Sequence, residues 1–383
     1  MKRIFSIIIT AAAITAAPLA ALEWGGIVNN ETEAYTSGFS ASEATAVQSN
    51  GAYLWMNTAL NRSKNLFFSG EVLYKYYFSA YSGNTAFTNI IDLNLFKFSF
   101  EENIGSGSLQ LALGRCPVSD MTGAVFSQTC DGFSAKLSLP SAIFSAYAGY
   151  TGLLNGLNVN ILDKNWSYAK DGNFYTTADA YIPISASAEF PVLFGNQTLA
   201  VQLNTFIDTE GNSASRYYAN ILMSGPIANE LYYSAVTCFG TMNFNGLMNY
   251  SAVSVVCYPM ESMSFLCGLE YASGKYGIFE NFIGFTARTA FNSMSSPQTS
   301  NILMPKISFS FALGRMFAGF TGKYVMTYTE NQMSSGGVEI GLSFSYGIFS
   351  DLQLGLDTNA FIDLRDSGDD NKFYAKLYAA LSF

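Results

Sequence analysis

The chain has 383 residues, a formal net charge of −9 and no histidine. Hydrophobic residues make up 49% of it and charged residues only 12%, well below the ~25% charged fraction of a soluble domain. The acidic balance argues against nucleic acid as a partner, since a binding face would need clustered Lys and Arg. Without histidine the chain lacks the usual catalytic base and the commonest zinc and copper ligand, so we expect no enzyme, no metal site and no cofactor.

The first segment has the composition of a secretory signal peptide. Lys2 and Arg3 precede an uncharged stretch, rich in Ile and Ala, that ends at Ala21. We expect a signal peptide at 1–21 and a mature domain at 22–383. Cleavage after Ala17 is less favoured, because Pro18 would then begin the mature chain. No other stretch offers the ~18 consecutive apolar residues of a transmembrane helix.

Apolar and polar residues alternate along most of the remaining chain. The clearest run, 178–190, places alanines, isoleucines and Phe190 on one face and Tyr181, Ser185 and Glu189 on the other. The period of two indicates β-strands with one apolar face. About eighteen such segments can be counted, in the pattern typical of barrels that cross a membrane. Similar alternation recurs at 199–208, 306–313, 338–346 and 352–363.

The connections between these segments differ in length. Short turns are predicted at 61–63, 140–141, 195–196, 259–261, 314–315 and 350–351, and longer loops at 37–50, 116–129, 153–174, 211–215, 274–300, 331–335 and 366–371. Short turns on one side and long loops on the other predict an all-β, transmembrane, antiparallel up-and-down barrel. About eighteen strands are expected, with short periplasmic turns and longer extracellular loops. Sixteen is the alternative if the glycine-rich first segment or 143–150 is not a full strand. A soluble sandwich or propeller is less favoured, because so few charges would be unusual there.

The last predicted strand places Phe383, Leu381 and Leu377 on one face and Lys376 and Ser382 on the other. Its terminal aromatic residue resembles the assembly signal that ends bacterial outer-membrane β-barrels. The resemblance implies that Leu381 and Phe383 form this signal. It also implies that the partners include outer-membrane lipid and the outer-membrane assembly machinery. We therefore expect an exported protein in the outer membrane of a diderm bacterium, with a homo-oligomer as a possible state.

The predicted fifth strand ends in Gly114-Arg115, and a loop containing Asp120 follows. This resembles the bacterial porin family, in which a Gly-Arg pair commonly ends the fifth strand and the third outward loop narrows the lumen. The resemblance implies that Arg115 and Asp120 line a constriction. Cys116 and Cys130 bracket the loop and could form a disulfide in an oxidising periplasm.

A barrel of this size leaves an aqueous lumen unless it is plugged. The alternation assigns charged side chains to its inner face, where they either line a channel or pair across strands. The candidate pore-lining residues are Arg115, Asp120, Lys136, Asp179, Asp208, Arg216, Glu270, Lys323, Glu339 and Asp357.

The long loop at 274–300 is rich in apolar residues, including Phe279, Phe282 and Phe285. They could pack among the loops, enter the lumen or contact a partner. The sequence favours a porin through which small hydrophilic solutes diffuse passively. One alternative is a barrel that displays loops for adhesion or host contact, and another is a gated transporter of hydrophobic substrates.

Overall fold

The computed structural model describes residues 20–37, 44–81, 84–159, 161–162, 172–211, 214–286, 300–329, 332–365 and 371–383. These residues form eighteen β-strands and no helix. The strands are β1 (Ala20–Ser37), β2 (Thr45–Ala59), β3 (Leu66–Tyr81), β4 (Asn84–Ile104), β5 (Gly107–Ser119), β6 (Ser127–Ser138), β7 (Ile143–Tyr150), β8 (Tyr181–Phe190), β9 (Thr198–Asp208), β10 (Arg216–Ala228), β11 (Leu231–Met242), β12 (Asn245–Met260), β13 (Met263–Ala272), β14 (Ile302–Leu313), β15 (Met316–Thr329), β16 (Gln332–Gly347), β17 (Leu352–Asp363) and β18 (Lys372–Ser382).

All eighteen strands belong to one closed antiparallel sheet. Each strand pairs with its neighbours in sequence, and β1 pairs with both β2 and β18. The predicted all-β up-and-down barrel is therefore confirmed. Both segments that left sixteen strands open, the first one and 143–150, form full strands as β1 and β7.

The barrel closes at the last residue of the chain. The amide N–H of Gly26 donates to the carbonyl oxygen of Phe383 at 2.9 Å, and the amide of Phe383 donates back at 3.0 Å. A Cβ on Gly26 would lie 2.5 Å from the Phe383 ring and 3.0 Å from the carbonyl oxygen of Tyr53, so a larger residue would displace the ring from its place across β1. Phe383 is thus part of the seam that joins the first strand to the last.

The two ends of the barrel differ in their connections. We call the end that carries Ala20 and Phe383 the terminal end, and the opposite one the loop end. All connections at the terminal end are short, such as 105–106, 229–230 and 314–315. The loop end carries the long segments 151–180 and 273–301, which agrees with the predicted difference between the two ends.

The loop end also has tight turns that the sequence did not indicate. β15 and β16 remain paired as far as Thr329↔Gln332, so the loop predicted at 331–335 is mostly strand. β3 and β4 pair to Tyr81↔Asn84 in the same way. The polar residues at the ends of these strands resemble loop residues in sequence. In the structure, however, their backbone continues the pairing of the two strands.

The outward face of the barrel is apolar, as the alternation predicts. In β16, Leu342 is 56% exposed whereas Glu339, on the inner face, is 2% exposed. In β8, Ile182 and Ile184 are exposed on the outer face. This distribution is the reverse of a soluble sheet protein, whose exposed face is polar.

The structure starts β8 three residues later than the sequence predicts. Residues 178–180 lie beside the loop that follows β7, where the amide of Ala178 donates to the carbonyl oxygen of Leu154 at 3.0 Å. The backbone of this segment therefore pairs with a loop, and Asp179 lies outside the strand.

Residues 1–19 of the predicted signal peptide lie outside the described residues, and its last two residues, Ala20 and Ala21, begin β1. Export and cleavage therefore stay predictions. In the part of the chain that the structure describes, no helix is long and apolar enough to cross a membrane.

Candidate channel constriction

The loop after β5 folds into the lumen. The amide of Met121 donates to Oε1 of Gln202 on β9 at 2.8 Å, and Nδ2 of Asn220 on β10 donates to Oδ2 of Asp120 at 3.3 Å. Because β9 and β10 lie four and five strands from β5 around the wall, these contacts require the loop to cross the interior. The structure thus shows the inward fold that the porin resemblance implies.

Asp120 holds the shape of this loop. Its Oδ1 accepts from the amides of Val125 at 3.1 Å and Phe126 at 2.7 Å, and its Oδ2 accepts from the amide of Thr122 at 2.9 Å. The residue is 5% exposed. The prediction assigned Asp120 to an open constriction, whereas the structure uses its carboxylate within the loop, where backbone N–H groups stabilise a buried anion.

Three inward segments meet at Phe285. Its amide donates to the carbonyl oxygen of Val125 at 2.7 Å, and its own carbonyl oxygen accepts from the amide of Leu162 at 2.8 Å. The Phe285 ring stacks on Phe206 of β9, with centroids 4.0 Å apart, and meets Tyr181 of β8 edge-on. We call the segments 120–126, 151–162 without residue 160, and 282–286, joined in this way, the loop hub.

The hub has an apolar interior that continues onto the barrel wall. Phe126, Leu154, Phe282 and Phe285 are almost fully buried and belong to one cluster with side chains of β6 to β15 and β17. Of the three placements that the sequence left open for the apolar loop at 274–300, residues 282–286 enter the lumen, whereas Tyr276 and Ile278 are exposed. Burial of large apolar side chains, ~1.5–3 kcal/mol each, makes this placement favourable.

Arg216 joins the hub to the wall. Its Nη1 donates to the carbonyl oxygen of Gly284 at 2.8 Å and its Nη2 to that of Leu162, while the guanidinium lies 5.5 Å from the centre of the Phe285 ring. Its exposure is 0%. The sequence assigned Arg216 to the pore lining, whereas the structure places its side chain behind the hub, where it binds two loops.

Arg115 lies in the wall and not at a constriction. Its Nε and Nη2 donate to the two carboxylate oxygens of Asp131 at 2.9 and 2.7 Å, and its Nη1 donates to Oδ1 of Asp92 at 3.0 Å. The carbonyl oxygens of Leu93 and Leu153 accept two further bonds. All five guanidinium N–H groups are therefore used.

A split in the wall explains this position of Arg115. Pairing of β4 with β5 ends at Phe96↔Arg115, after which β4 continues with β3 and β5 continues with β6. The loop after β7 fills the space, with Phe174 bridging Ile90 in parallel and Leu153 bonded to Arg115. Arg115 therefore binds β4, β6 and the loop after β7 at the point where they meet.

Two predicted lining residues cap the ends of strands. Oδ1 of Asp208 accepts from the amides of Glu210 at 3.0 Å and Gly211 at 3.2 Å, in the turn after β9. The backbone carbonyl oxygen of Asp179 accepts from the hydroxyl of Thr151. Both residues lie at the loop end, beyond the narrow part of the lumen that the hub forms.

Other predicted lining residues form ion pairs across strands. Lys306 pairs with Glu270, and Nζ of Lys323 lies 2.7 Å from Oε1 of Glu339. The two lysines are themselves opposite each other in the β14–β15 register. Asp357 lies opposite Lys376 in the register of β17 and β18. Glu270, Lys323, Glu339 and Asp357 thus contribute to cross-strand charge pairing on the inner wall.

The predicted disulfide is not formed in the structure. Cys116 and Cys130 are free thiols, although they lie directly opposite each other in the β5–β6 register. The Cys130 sulfur lies 3.6 Å from the carbonyl oxygen of Tyr150 on the next strand. Both cysteines lie within strands, because β5 and β6 extend further towards the loop than the sequence indicates.

Lys136 lines a cavity beneath the inward loop, as the alternation predicts. This cavity, about 670 Å³ in volume, is bounded by β4 to β9 and by residues 119–121. The sequence reasoning missed Gln202 and Asn220, which receive the loop. The only sequence signal for these two residues is that their amide side chains fall on the inward faces of β9 and β10. Among the described residues no group of three or more His, Cys, Asp or Glu could hold a metal ion.

Comparison with solved structures identifies proteins with the same architecture. OccK2 (OpdF) of Pseudomonas aeruginosa matches with a TM-score of 0.63 and 11% identity over 95% of this chain and 98% of that one. A BenF-like porin from Pseudomonas fluorescens Pf-5 matches with a TM-score of 0.60 and 11% identity over 95% and 100%. The outer membrane protein OprD from P. aeruginosa matches with a TM-score of 0.57 and 11% identity over 94% and 93%.

This chain has the fold of an eighteen-stranded porin. At identities near one in ten, the likeness concerns the porin fold and not the solute or the lining residues. No protein-family model matches the chain, and no curated protein matches it. The porin fold also accounts for both termini lying at one end, since an even number of up-and-down strands returns the chain to its starting side.

Proposed function

We propose that the protein is an outer-membrane porin, through which small hydrophilic solutes diffuse passively past the loop hub. The closed barrel with an apolar outer face and three inward segments carries this proposal. One of the structures with this fold is named as a BenF-like porin, which supports the same function here. The proposal includes export by the predicted signal peptide, with the terminal end in the periplasm.

The outer face supports a bilayer as the surroundings. Leu203, Leu342 and Leu377 are 63%, 56% and 59% exposed on three separate strands. Apolar surface gains ~25 cal/mol per Å² when it leaves water, so a continuous apolar belt favours lipid over solution. Strands that pair with neighbours on both sides leave no unpaired backbone groups in the hydrocarbon region.

The wall opposite the hub supports a hydrated path. Glu31 on β1 and Lys376 on β18 face each other with atoms 3.9 Å apart, and their side chains keep 36% and 25% exposure. The strand residues buried in the apolar cluster come from β6 to β15 and β17, and none comes from β1 or β18. Charges that remain hydrated inside a barrel suit passage of polar solutes between this wall and the hub.

The test is conductance of the purified protein in a planar lipid bilayer. We expect stepwise current increases whose size follows salt concentration, as in a water-filled pore. Heat-denatured protein at the same concentration is the control. Repeated insertion of folded protein without conductance would reject the porin and favour a barrel that only displays its loops.

A further inference from the structure

The cavity beneath the inward loop is a candidate solute site. It lies toward the terminal end, between the wall of β4 to β9 and a roof formed by Ser119, Asp120 and Met121. A volume of about 670 Å³ is within the range of small-molecule sites, ~300–1,000 Å³. The roof residues are fixed by Gln202 and Asn220, so the cavity is preformed.

Six neighbouring strands each supply one polar side chain at the same level of this cavity. The register pairs Glu101 with Gln110, Gln110 with Lys136, Lys136 with Ser145, Ser145 with Ser187, and Ser187 with Gln202. All six side chains line the cavity. We call them the polar row. Ser99, Ser134 and Ser185 lie one step nearer the loop end, so hydroxyls surround the row.

The charges of the polar row are separated and open to water. Lys136 is exposed, and among the described residues it forms no ion pair. Glu101, two strands away at the same level, accepts a hydrogen bond from the side-chain Nε2 of Gln110 at 3.1 Å. Two strand spacings are ~10 Å, more than the ~4 Å of a direct ion pair. Within the polar row, one anion and one cation thus face the cavity with room between them. Lys97 and Glu189 also line the cavity, Lys97 nearer the loop end and Glu189 nearer the terminal end than the row.

We propose that the polar row is a binding site for small zwitterionic solutes, an inference that rests on the proposed porin function. The carboxylate of the solute binds Lys136 and its ammonium group binds Glu101, while serine hydroxyls and Gln110 take its remaining polar groups. A solute with a single charge would satisfy only one of the two side chains. The charges lie in water, so binding is weak, as passage through a channel requires.

The test measures uptake into proteoliposomes of three solutes of similar size: L-serine as the zwitterion, glycerol as the neutral solute and lactate as the anion. Lys136→Met and Glu101→Gln should each lower L-serine uptake relative to glycerol by about two- to fivefold, the effect of losing one exposed ion pair. The charge exchange Lys136→Glu with Glu101→Lys should restore most of the L-serine uptake, because a zwitterion can bind in the opposite direction. Lys64→Met, in an exposed turn at the terminal end, is the matched control.

The outcomes separate this site from the porin function. If glycerol, lactate and L-serine all enter and the variants change L-serine no more than glycerol, the zwitterion site is wrong and the porin stands. If the variants lower lactate as much as L-serine, the row selects anions and the proposal fails. If no solute enters through wild-type protein, both the porin proposal and the zwitterion site are rejected.

Discussion

At the scale of single residues, the two arginines that the sequence assigned to the pore are both structural. Arg115 satisfies two carboxylates and two carbonyl oxygens in the wall, and Arg216 binds two loop carbonyls behind the hub. An arginine is suited to such positions, because its planar fork can bind several acceptors at once. The charge of an inward side chain therefore does not show whether it meets solute or protein.

Arg115→Met should destabilise the barrel without opening the pore. It leaves the buried Asp92 and the partly exposed Asp131 without their cation, and the buried carboxylate alone makes this cost about 3–5 kcal/mol. We expect a lower midpoint in urea unfolding, followed by tryptophan fluorescence. Arg315→Met is the control, since this exposed arginine in a turn at the terminal end donates to the carbonyl oxygen of Ile348, a hydrogen bond that should contribute about 1 kcal/mol. Higher conductance with unchanged stability would instead place Arg115 at the constriction.

Phe285→Ala should raise single-channel conductance. The ring is fully buried and stacks on Phe206, so its loss removes the contact at which three inward segments meet. Truncation of a buried Phe costs about 3–5 kcal/mol of packing, and the strands do not depend on that contact for their own pairing. Phe349→Ala, in an exposed turn at the terminal end, should leave conductance unchanged. Equal conductance of both variants would show that the hub does not limit the flow.

At the scale of elements, the inward loop is fixed by the carboxylate of its own Asp120 and by side-chain amide groups on two distant strands. Asp120 accepts from the backbone of the loop, while Gln202 and Asn220 bind it from β9 and β10. Contacts of this kind order a short loop at the centre of a barrel that side chains alone could not fill.

Asp120→Ala should loosen this loop while the strands stay paired. The amides of Val125 and Phe126 lose their shared acceptor, and buried donors without a partner cost about 1–3 kcal/mol each. Hydrogen exchange should speed up in peptides covering 120–126 and remain unchanged in those covering β16. The control is Asp351→Ala, in an exposed turn. Unchanged exchange at 120–126 would mean that the side chains of Gln202 on β9 and Asn220 on β10 suffice to hold the loop.

At the scale of the whole molecule, closure depends on the contact between β1 and β18. The seam runs from Ile27↔Ser382 to Ser37↔Lys372, and the reciprocal bonds of Gly26 and Phe383 extend it by one residue. A closed sheet satisfies its backbone only when this last pairing forms.

Gly26→Ala should impair assembly, because its Cβ would lie 2.5 Å from the Phe383 ring and 3.0 Å from the carbonyl oxygen of Tyr53. Gly322→Ala is the matched control, since its nearest neighbour lies at an ordinary 3.4 Å. We expect less folded protein in the membrane fraction for Gly26→Ala than for Gly322→Ala. Deletion of Phe383 should have a similar effect by removing both reciprocal bonds. Normal levels of both Gly26→Ala and the deletion variant would exclude this role for the seam.

The sequence by itself determined the barrel and its apolar outer face, and it predicted a strand number of about eighteen with sixteen left open. Alternation is a local property, and a strand exposed to lipid must repeat it at every second position, as Leu352–Asp363 does at the predicted bounds. The aromatic loop at 274–300 was also recognisable as an unusual segment, although three placements remained open for it.

Only the tertiary structure decided what the inner face does. Arg216, Asp120 and Lys136 are all charged residues at or beside inward positions, yet one binds loop carbonyls, one holds its own loop and one faces a cavity. The difference arises from residues far away in sequence, such as Gly284 in a loop that enters the lumen and Asn220 on β10. Alternation places a side chain inside the barrel, and the packing of the loops determines whether water or protein surrounds it.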